Sequence, residues 1–157
     1  RKLAVMWNAL RLWGVVLAAN ILGTLIFGVG LYFTDVFDPA QTAALGSVAG
    51  HAVAGSFSDT FVSALFAGWL IALMVWLLPA AETARVGVII IITYLVGVGG
   101  FSHIIAGSAQ VFYALAADAT GLTAALSNFF LPTLLGNVIG GVALVAALNY
   151  AQVSLDD

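Results

Sequence analysis

The sequence predicts an all-α membrane protein, and three observations carry this prediction. First, 63% of the 157 residues are hydrophobic and only 7% are charged, whereas soluble domains contain about 25% charged residues. Second, the chain contains long apolar runs, and a helix needs about 20 apolar residues to cross the hydrocarbon core. Third, two of these runs share a short pattern although they are expected to cross the membrane in opposite directions.

We expect a single transmembrane domain over residues 1–157 with four passages, at about 13–33, 61–78, 86–117 and 126–148. The linker at about 40–58 is rich in alanine, glycine and serine and too weakly apolar to span. A short helix at the membrane surface is expected there, over about 40–54. Pro132 lies inside the fourth passage and predicts a kink.

The third passage is the most informative, because its run of about 30 residues without a charge is too long for a simple span. Gly97, Gly99 and Gly100 interrupt its middle, and His103 follows them. Non-helical backbone at membrane depth persists only where protein or a water-filled cavity satisfies it. We therefore expect a helix that is broken near 97–103 and lines a polar path, with His103 on a permeation route.

The first and fourth passages share a small-Asn-apolar-apolar-Gly pattern. It reads Ala-Asn-Ile-Leu-Gly around Asn20 and Gly-Asn-Val-Ile-Gly around Asn137. Because these two passages are expected to cross the membrane in opposite directions, the shared pattern indicates an inverted-topology repeat. The sites of such repeats lie near the midplane of the membrane. Passages two to four then form one repeat and passage one ends the other. The first two helices of that other repeat are expected in a longer protein or in a partner.

Four short motifs, taken in order, resemble the formate/nitrite transporter family over essentially the whole chain, as its third to sixth helices. They are Asn20–Gly23, Leu73–Trp76, Gly100–His103 and Leu135–Gly140. The resemblance implies an aquaporin-like inverted-repeat channel fold, a homopentamer, and a pore in each protomer for a small monovalent anion, such as formate or nitrite, or its conjugate acid. Well-studied members carry Glu where this chain has Ser102 and Asn where it has Gly107.

His103 is the leading candidate residue, because an ionisable side chain inside a membrane is a functional candidate by default. Histidine titrates near neutral pH in water, and an anion loses hydration at large cost when it enters an apolar pore. We expect His103 to offset that cost by donating a hydrogen bond or by passing a proton. The plainer alternative is a neutral histidine bonded to backbone in a packed core.

The other predicted pore residues surround this histidine. The amides of Asn20 and Asn137 line the pore or hold the broken helix, or else bond helices together at about 0.6 kcal/mol each. Val96 and Phe101 flank the glycines, where apolar side chains gate by dewetting; by resemblance Val96 stands where the family has a constricting aromatic residue. The remaining predicted residues are Gly100, Ser102 and Gly107.

The sequence leaves some functions other than anion transport open and disfavours others. A structural membrane subunit, or a water or gas pore of the same fold, stays open. Serine proteolysis is disfavoured because Ser102 and His103 are adjacent, so their side chains diverge. With two histidines and no cysteine, neither a metal site nor a cofactor is implied, and no basic patch indicates nucleic acid. His51 and Asp59 either face a vestibule or are merely solvated.

The basic residues predict the orientation. With four crossings, Arg1, Lys2, Arg11 and Arg85 all fall on one side, and the opposite loops contain neither lysine nor arginine. The positive-inside rule then places both termini in the cytoplasm. We expect an integral protein of a prokaryotic inner membrane, with the lipid bilayer as its environment.

Overall fold

The computed structural model describes the backbone of residues 2–153, and the side chains of that range except Lys2, Asn149, Gln152 and Val153. Arg1 and residues 154–157 of the predicted domain lie outside the described range. Helices make up the regular structure of the described chain: α1 (Lys2–Tyr32), α2 (Pro39–Val53), α3 (Phe57–Leu77), α4 (Arg85–Val98), α5 (Ile104–Ala116), the short α6 (Leu122–Ala124), a π-helical turn (Ala125–Phe130) and α7 (Leu131–Val153).

Three helical stretches in the described range are long and apolar enough to cross a membrane: Leu3–Tyr32, Phe57–Leu77 and Leu122–Leu148. The last joins α6, the π-helical turn and α7 into one span. Helices α4 and α5 are shorter apolar helices and occupy the segment predicted as a broken passage. These features agree with the predicted all-α membrane protein.

Helix α1 is longer than the predicted first passage, since it begins at Lys2 and not near Trp13. No glycine or proline interrupts the residues before Gly14, so the helix continues beyond its apolar part. Its most apolar stretch is only 6% buried, which leaves α1 at the edge of the described chain. Gly28 is its close contact with α5, because a Cβ there would meet the backbone carbonyl of Ala109.

Helix α2 confirms the helix expected in the linker. Asp38 caps its first turn: the carboxylate accepts from the Gln41 N–H at 2.8 Å, and the Gln41 side chain accepts from the Asp38 N–H at 3.0 Å. Pro39 begins the helix, where its fixed φ suits the first position. Ala49 is buried in a cluster with Tyr113 and Ala114 of α5, so one face of α2 packs on α5.

Helices α3 and α7 run parallel and form the closest pair in the described chain. A Cβ at Gly136 would lie 2.6 Å from the Ala64 Cβ, and one at Gly140 would meet the Leu65 carbonyl oxygen. Gly68 of α3 allows the backbone of α7 to come equally close, since a Cβ at Gly68 would meet the Asn137 carbonyl oxygen. Small residues at such spacing let membrane helices approach closely, which sets the height of Asn137 relative to α3.

The last span contains an irregularity before its proline. A π-helical turn at Ala125–Phe130 directly precedes Leu131 and the buried Pro132. Proline lacks an N–H and its ring clashes with the carbonyl four residues earlier, and a π-helical turn is one way in which a helix accommodates such a defect. The helical type therefore changes directly ahead of Pro132, the position at which the sequence predicts a kink.

Charged side chains separate to the two ends of the helices. The ends of α1 and α5 lie together, as the Tyr32–Tyr113 ring contact at 5.9 Å shows, and α3 and α6 begin at the same end. We call this the acidic end, because it holds Asp35, Asp38, Asp59 and Asp118. The opposite end, which we call the basic end, holds Arg11, Glu82 and Arg85.

Candidate functional site

A glycine turn ends α4 and opens the break. Gly100 has φ +61°, a left-handed conformation that costs other residues about 1–2 kcal/mol. Its N–H donates to the Gly97 carbonyl at 3.1 Å, and the Phe101 N–H donates to the Val96 carbonyl at 3.0 Å. These two bonds form a Schellman C-cap. The turn lets the chain leave α4 while the last carbonyls stay hydrogen-bonded at membrane depth.

Asn137 of α7 ties the far side of the break to two helices. Its Oδ1 accepts from the N–H of Ile104, the first residue of α5, at 2.8 Å. Its Nδ2 donates to the carbonyl oxygens of Ser102 and of Ala64 on α3, both at 2.9 Å. An unsatisfied backbone group costs several kcal/mol in lipid. The Asn137 amide therefore holds the broken helix, one of the two roles predicted for it.

Ser63 of α3 is a second holder of the break. Its Oγ accepts from the Ser102 N–H at 3.0 Å and donates to the Gly100 carbonyl at 3.4 Å. Ser63 is not among the residues predicted from the sequence. The sequence clue to its role is a hydroxyl inside an apolar passage, because polar side chains there often bond to a neighbouring helix. The sequence does not show which helix that is.

His103 lies at the N-cap of α5 with extended backbone angles, φ −115° and ψ 128°. Its Nδ1 accepts from the Ala106 N–H at 3.5 Å. An accepting Nδ1 places the hydrogen of the neutral ring on Nε2. His103 is partly buried, so Nε2 is the ring atom that remains able to donate to a solute.

Two cavities meet at His103. One has a volume of about 940 Å³ and extends from the break to α2 and the start of α3; we call it the acidic-end cavity. The other, of about 970 Å³, extends from the break between α1, α3 and α7; we call it the basic-end cavity. Ile71, His103 and Ile105 line both cavities. The boundary between them therefore includes one imidazole and two apolar side chains.

The eight predicted site residues all line one of these cavities or both. The acidic-end cavity includes Val96, Gly100, Phe101, Ser102 and Gly107, and the basic-end cavity includes Asn20 and Asn137. Ile71 and Ile105, which complete the junction with His103, are additional to the prediction. Isoleucine is too common in an apolar sequence to be singled out without the fold.

Two aromatic contacts shape the acidic-end cavity. Phe101 stacks on Phe66 of α3, with ring centroids 5.5 Å apart, so its ring is held against α3. Gly107 faces the buried ring of Phe129, which a Cβ at that position would meet. The absence of a side chain at Gly107 therefore has a packing reason, since Phe129 occupies the adjacent space.

Asn20 differs from Asn137 in its bonding, although the two share a sequence pattern. The Asn20 Nδ2 donates to the Val16 carbonyl of its own helix at 2.8 Å. The side chain nevertheless lines the basic-end cavity together with His103 and Asn137. The structure thus brings the three polar residues to one cavity, and only Asn137 bonds to the break.

The side chains at the boundary of the two cavities limit the chemistry available there. A small polar solute moving between the cavities passes an imidazole in otherwise apolar surroundings at Ile71 and Ile105. Hydrogen-bond donors matter most where water is scarce, because an uncompensated polar group is costly there. The three side chains shared by the two cavities are therefore one imidazole, which can donate a hydrogen bond, and two isoleucines, which cannot.

Comparison with known proteins shows the family of this chain. Residues 1–151 match the profile of the family described as Formate/nitrite transporter. The chain is 37% identical to the inner membrane protein YfdC of Escherichia coli, over 94% of this chain and 47% of YfdC. It is 31% identical to the uncharacterized transporter YrhG of Bacillus subtilis, over 96% of this chain and 57% of YrhG.

A eukaryotic relative carries a functional name. The chain is 32% identical to formate-nitrite transporter 3 of Toxoplasma gondii, over 88% of this chain and 29% of that protein. The chain thus spans about half the length, or less, of these curated relatives. No solved structure matches the chain with significance.

Proposed function

This chain belongs to the formate/nitrite transporter family, and from that premise we propose that it conducts a small monovalent anion, such as formate or nitrite, or its conjugate acid, across a membrane. The observation that carries the proposal is the position of His103, which lines both cavities at their junction. An integral membrane transport protein needs a path from one face to the other, and these two cavities supply its halves.

In the proposed mechanism, His103 supplies the one adjustable charge at the junction. Its Nε2 donates a hydrogen bond to the solute, which offsets part of the hydration lost between Ile71 and Ile105. A protonated imidazole favours an anion, and transfer of that proton lets the neutral acid continue. Passage is therefore passive or proton-linked. Ser63 and Asn137 keep the break in place while the solute passes.

We also propose the larger assembly from the same premise. The small-Asn-apolar-apolar-Gly pattern shared by the first and last spans supports an inverted repeat in which Asn20 is the counterpart of Asn137. Segments outside this chain complete the pore wall next to Asn20, and the protein assembles as a homopentamer. The basic end faces the cytoplasm of a prokaryotic inner membrane, and the acidic-end cavity opens outward.

Replacement of His103 tests the function. We expect His103→Phe to lower formate influx into proteoliposomes by about tenfold or more, since a hydrogen bond to a charged group contributes about 1.5–3 kcal/mol. His103→Gln donates but does not titrate. We expect this variant to retain influx and to lose the increase in influx that a titrating histidine gives as the pH falls from about 8 to about 6. Asn128→Ala, at a residue that lines neither cavity, serves as the control and should keep both the influx and its pH dependence.

The same assay distinguishes the other functions. Stopped-flow light scattering with formate, nitrite, chloride and water as test solutes reports each permeability separately. Water flux without anion flux would assign a water or gas pore, and no flux at all would assign a structural subunit. An unchanged influx and pH profile in His103→Phe would reject the proposed role of His103.

A further inference from the structure

The acidic-end cavity carries an unexpected charge for a path that conducts anions. Its ionisable lining side chains are His51, Asp59 and His103, and none of its lining residues is lysine or arginine. With both histidines neutral, the fixed charge on this cavity is the single negative charge of Asp59. The sequence left open whether Asp59 faces a vestibule, and the structure places it on the cavity wall.

Local contacts hold the Asp59 carboxylate in position. Asp59 lies in the first turn of α3, where its Oδ2 accepts from the Ser56 hydroxyl at 2.6 Å. The Ser56 Oγ in turn accepts from the Asp59 N–H at 3.2 Å. Asp59 is exposed, so the carboxylate is solvated as well as bonded. A capping role accounts for these contacts but not for a charge on the route to His103.

We propose that Asp59 is a specificity-determining residue that opposes entry of the ionised anion and thereby favours entry of its uncharged conjugate acid. This inference rests on the proposed transport of a weak acid or its anion. A negative charge at the mouth raises the energy of an approaching anion and leaves a neutral molecule almost unaffected. The effect is electrostatic and is therefore reduced by salt.

The junction discriminates in the same direction as Asp59. Beyond the mouth, the solute meets Ile71 and Ile105 beside His103, and an apolar constriction costs an ion more hydration than a neutral acid. Other acidic residues lie at the same end without lining the cavity. Acidic residues from the neighbouring loops and helix ends share this end of the molecule: Asp35, Asp38 and Asp118. Arg11 and Arg85 belong to the opposite end.

The test measures anion influx in Asp59→Asn proteoliposomes. Asparagine keeps an oxygen that accepts from Ser56 and removes the charge. We expect formate influx at neutral pH and about 0.01 M ionic strength to rise about two- to threefold. At about 1 M salt, where the screening length is about 3 Å, the ratio should return to about one. Osmotic water flux should not change, because water is uncharged.

Three control variants separate charge from structure and position. Asp59→Glu keeps the charge and should behave as the unmodified protein. Ser56→Ala removes the bond to the carboxylate but keeps its charge, and should leave influx unchanged. Asp118→Asn removes a charge from the same end at a residue that does not line the cavity. Its φ of +53° is tolerated by asparagine, and we expect at most a small effect.

The outcomes distinguish this inference from the proposed function. No formate flux in the unmodified protein would overturn both. Flux in the unmodified protein with an Asp59→Asn ratio near one at low salt would overturn only the role of Asp59. An equal rise in Asp118→Asn would assign the effect to general surface charge, and an equal rise in Ser56→Ala would assign it to the α3 cap; either result overturns the inference.

Discussion

Asn137 is the residue that bonds the break most extensively among the described side chains. One amide reaches the first N–H of α5, a carbonyl of the break and a carbonyl of α3. An amide suits this position because it carries both an acceptor and two donors in one plane. His103 depends on this arrangement, since its backbone lies between the two groups, Ser102 and Ile104, that Asn137 holds.

Replacement of Asn137 tests this dependence. We expect Asn137→Ala to lower the free energy of unfolding by about 2 kcal/mol, the sum of three hydrogen bonds in a membrane, and to abolish solute flux. Asn137→Asp keeps the acceptor for Ile104 but turns a carboxylate oxygen toward two carbonyl oxygens, so an effect at least as large as that of alanine is expected. Thermal unfolding in detergent measures the first quantity and liposome influx the second.

Asn128 provides the matched control for that prediction. Its Oδ1 accepts from the neighbouring Ser127 hydroxyl at 2.9 Å, on the same span but away from the break. Asn128→Ala should therefore leave both stability and flux close to those of the unmodified protein. If Asn137→Ala is as mild as Asn128→Ala, then Asn137 does not hold the break.

At the scale of elements, the close approach of α3 and α7 positions the site. Gly136 and Gly140 remove the side chains that would separate the two helices, and Gly68 does the same from α3. Because Asn137 lies between these two glycines of α7, its side chain reaches across to α3 and to the break. The helix pair therefore serves as the frame on which the interrupted α4–α5 passage is fixed.

Two adjacent glycines of α7 allow a paired test of this packing. A Cβ at Gly140 would meet the Leu65 carbonyl oxygen, whereas one at Gly141 would make an ordinary contact 3.6 Å from the Gly68 carbonyl. We expect Gly140→Ala to cost about 1–3 kcal/mol through overpacking. Gly141→Ala should be neutral or slightly stabilising, because alanine favours helix.

The measurement is the denaturation midpoint of each variant in the same detergent, followed by influx after reconstitution. Gly140→Ala should lose flux together with stability, because displacement of α7 moves Asn137. Equal midpoints for the two variants would show that the α3–α7 contact is less close than the structure has it.

At the scale of the whole molecule, the helices enclose two cavities and have ends of unlike charge. The acidic end and the basic end lie on opposite sides of the His103 junction, and each has its own cavity. The exposed apolar surface of α1 leaves Asn20 at one edge of the basic-end cavity.

The proposed orientation is testable without a background signal, because the chain contains no cysteine. Ala44 in α2 and Thr83 between α3 and α4 are exposed at the acidic and basic ends. We expect a membrane-impermeant maleimide to label Ala44→Cys in intact cells and Thr83→Cys only after the membrane is opened. The reverse pattern would invert the topology.

The sequence by itself determined the membrane class, the break and the central histidine. Composition and apolar run length depend on no partner contact, and a Gly-Gly turn before His103 is a local signal. The sequence did not predict the bounds of α1 or the π-helical turn before Pro132. Helix ends fray and adjust to the residues packed around them, so their positions depend on the folded structure.

Tertiary structure alone decided which side chains meet. Ser63 and Asn137 bond to the same break from positions far apart in sequence, and the two isoleucines become a junction only because two cavities end there. The shared pattern around Asn20 and Asn137 led to different hydrogen bonds, since Asn137 bonds to the break and Asn20 bonds within its own helix. A hydrogen bond needs its partner within about 3 Å, and that distance is a property of the fold.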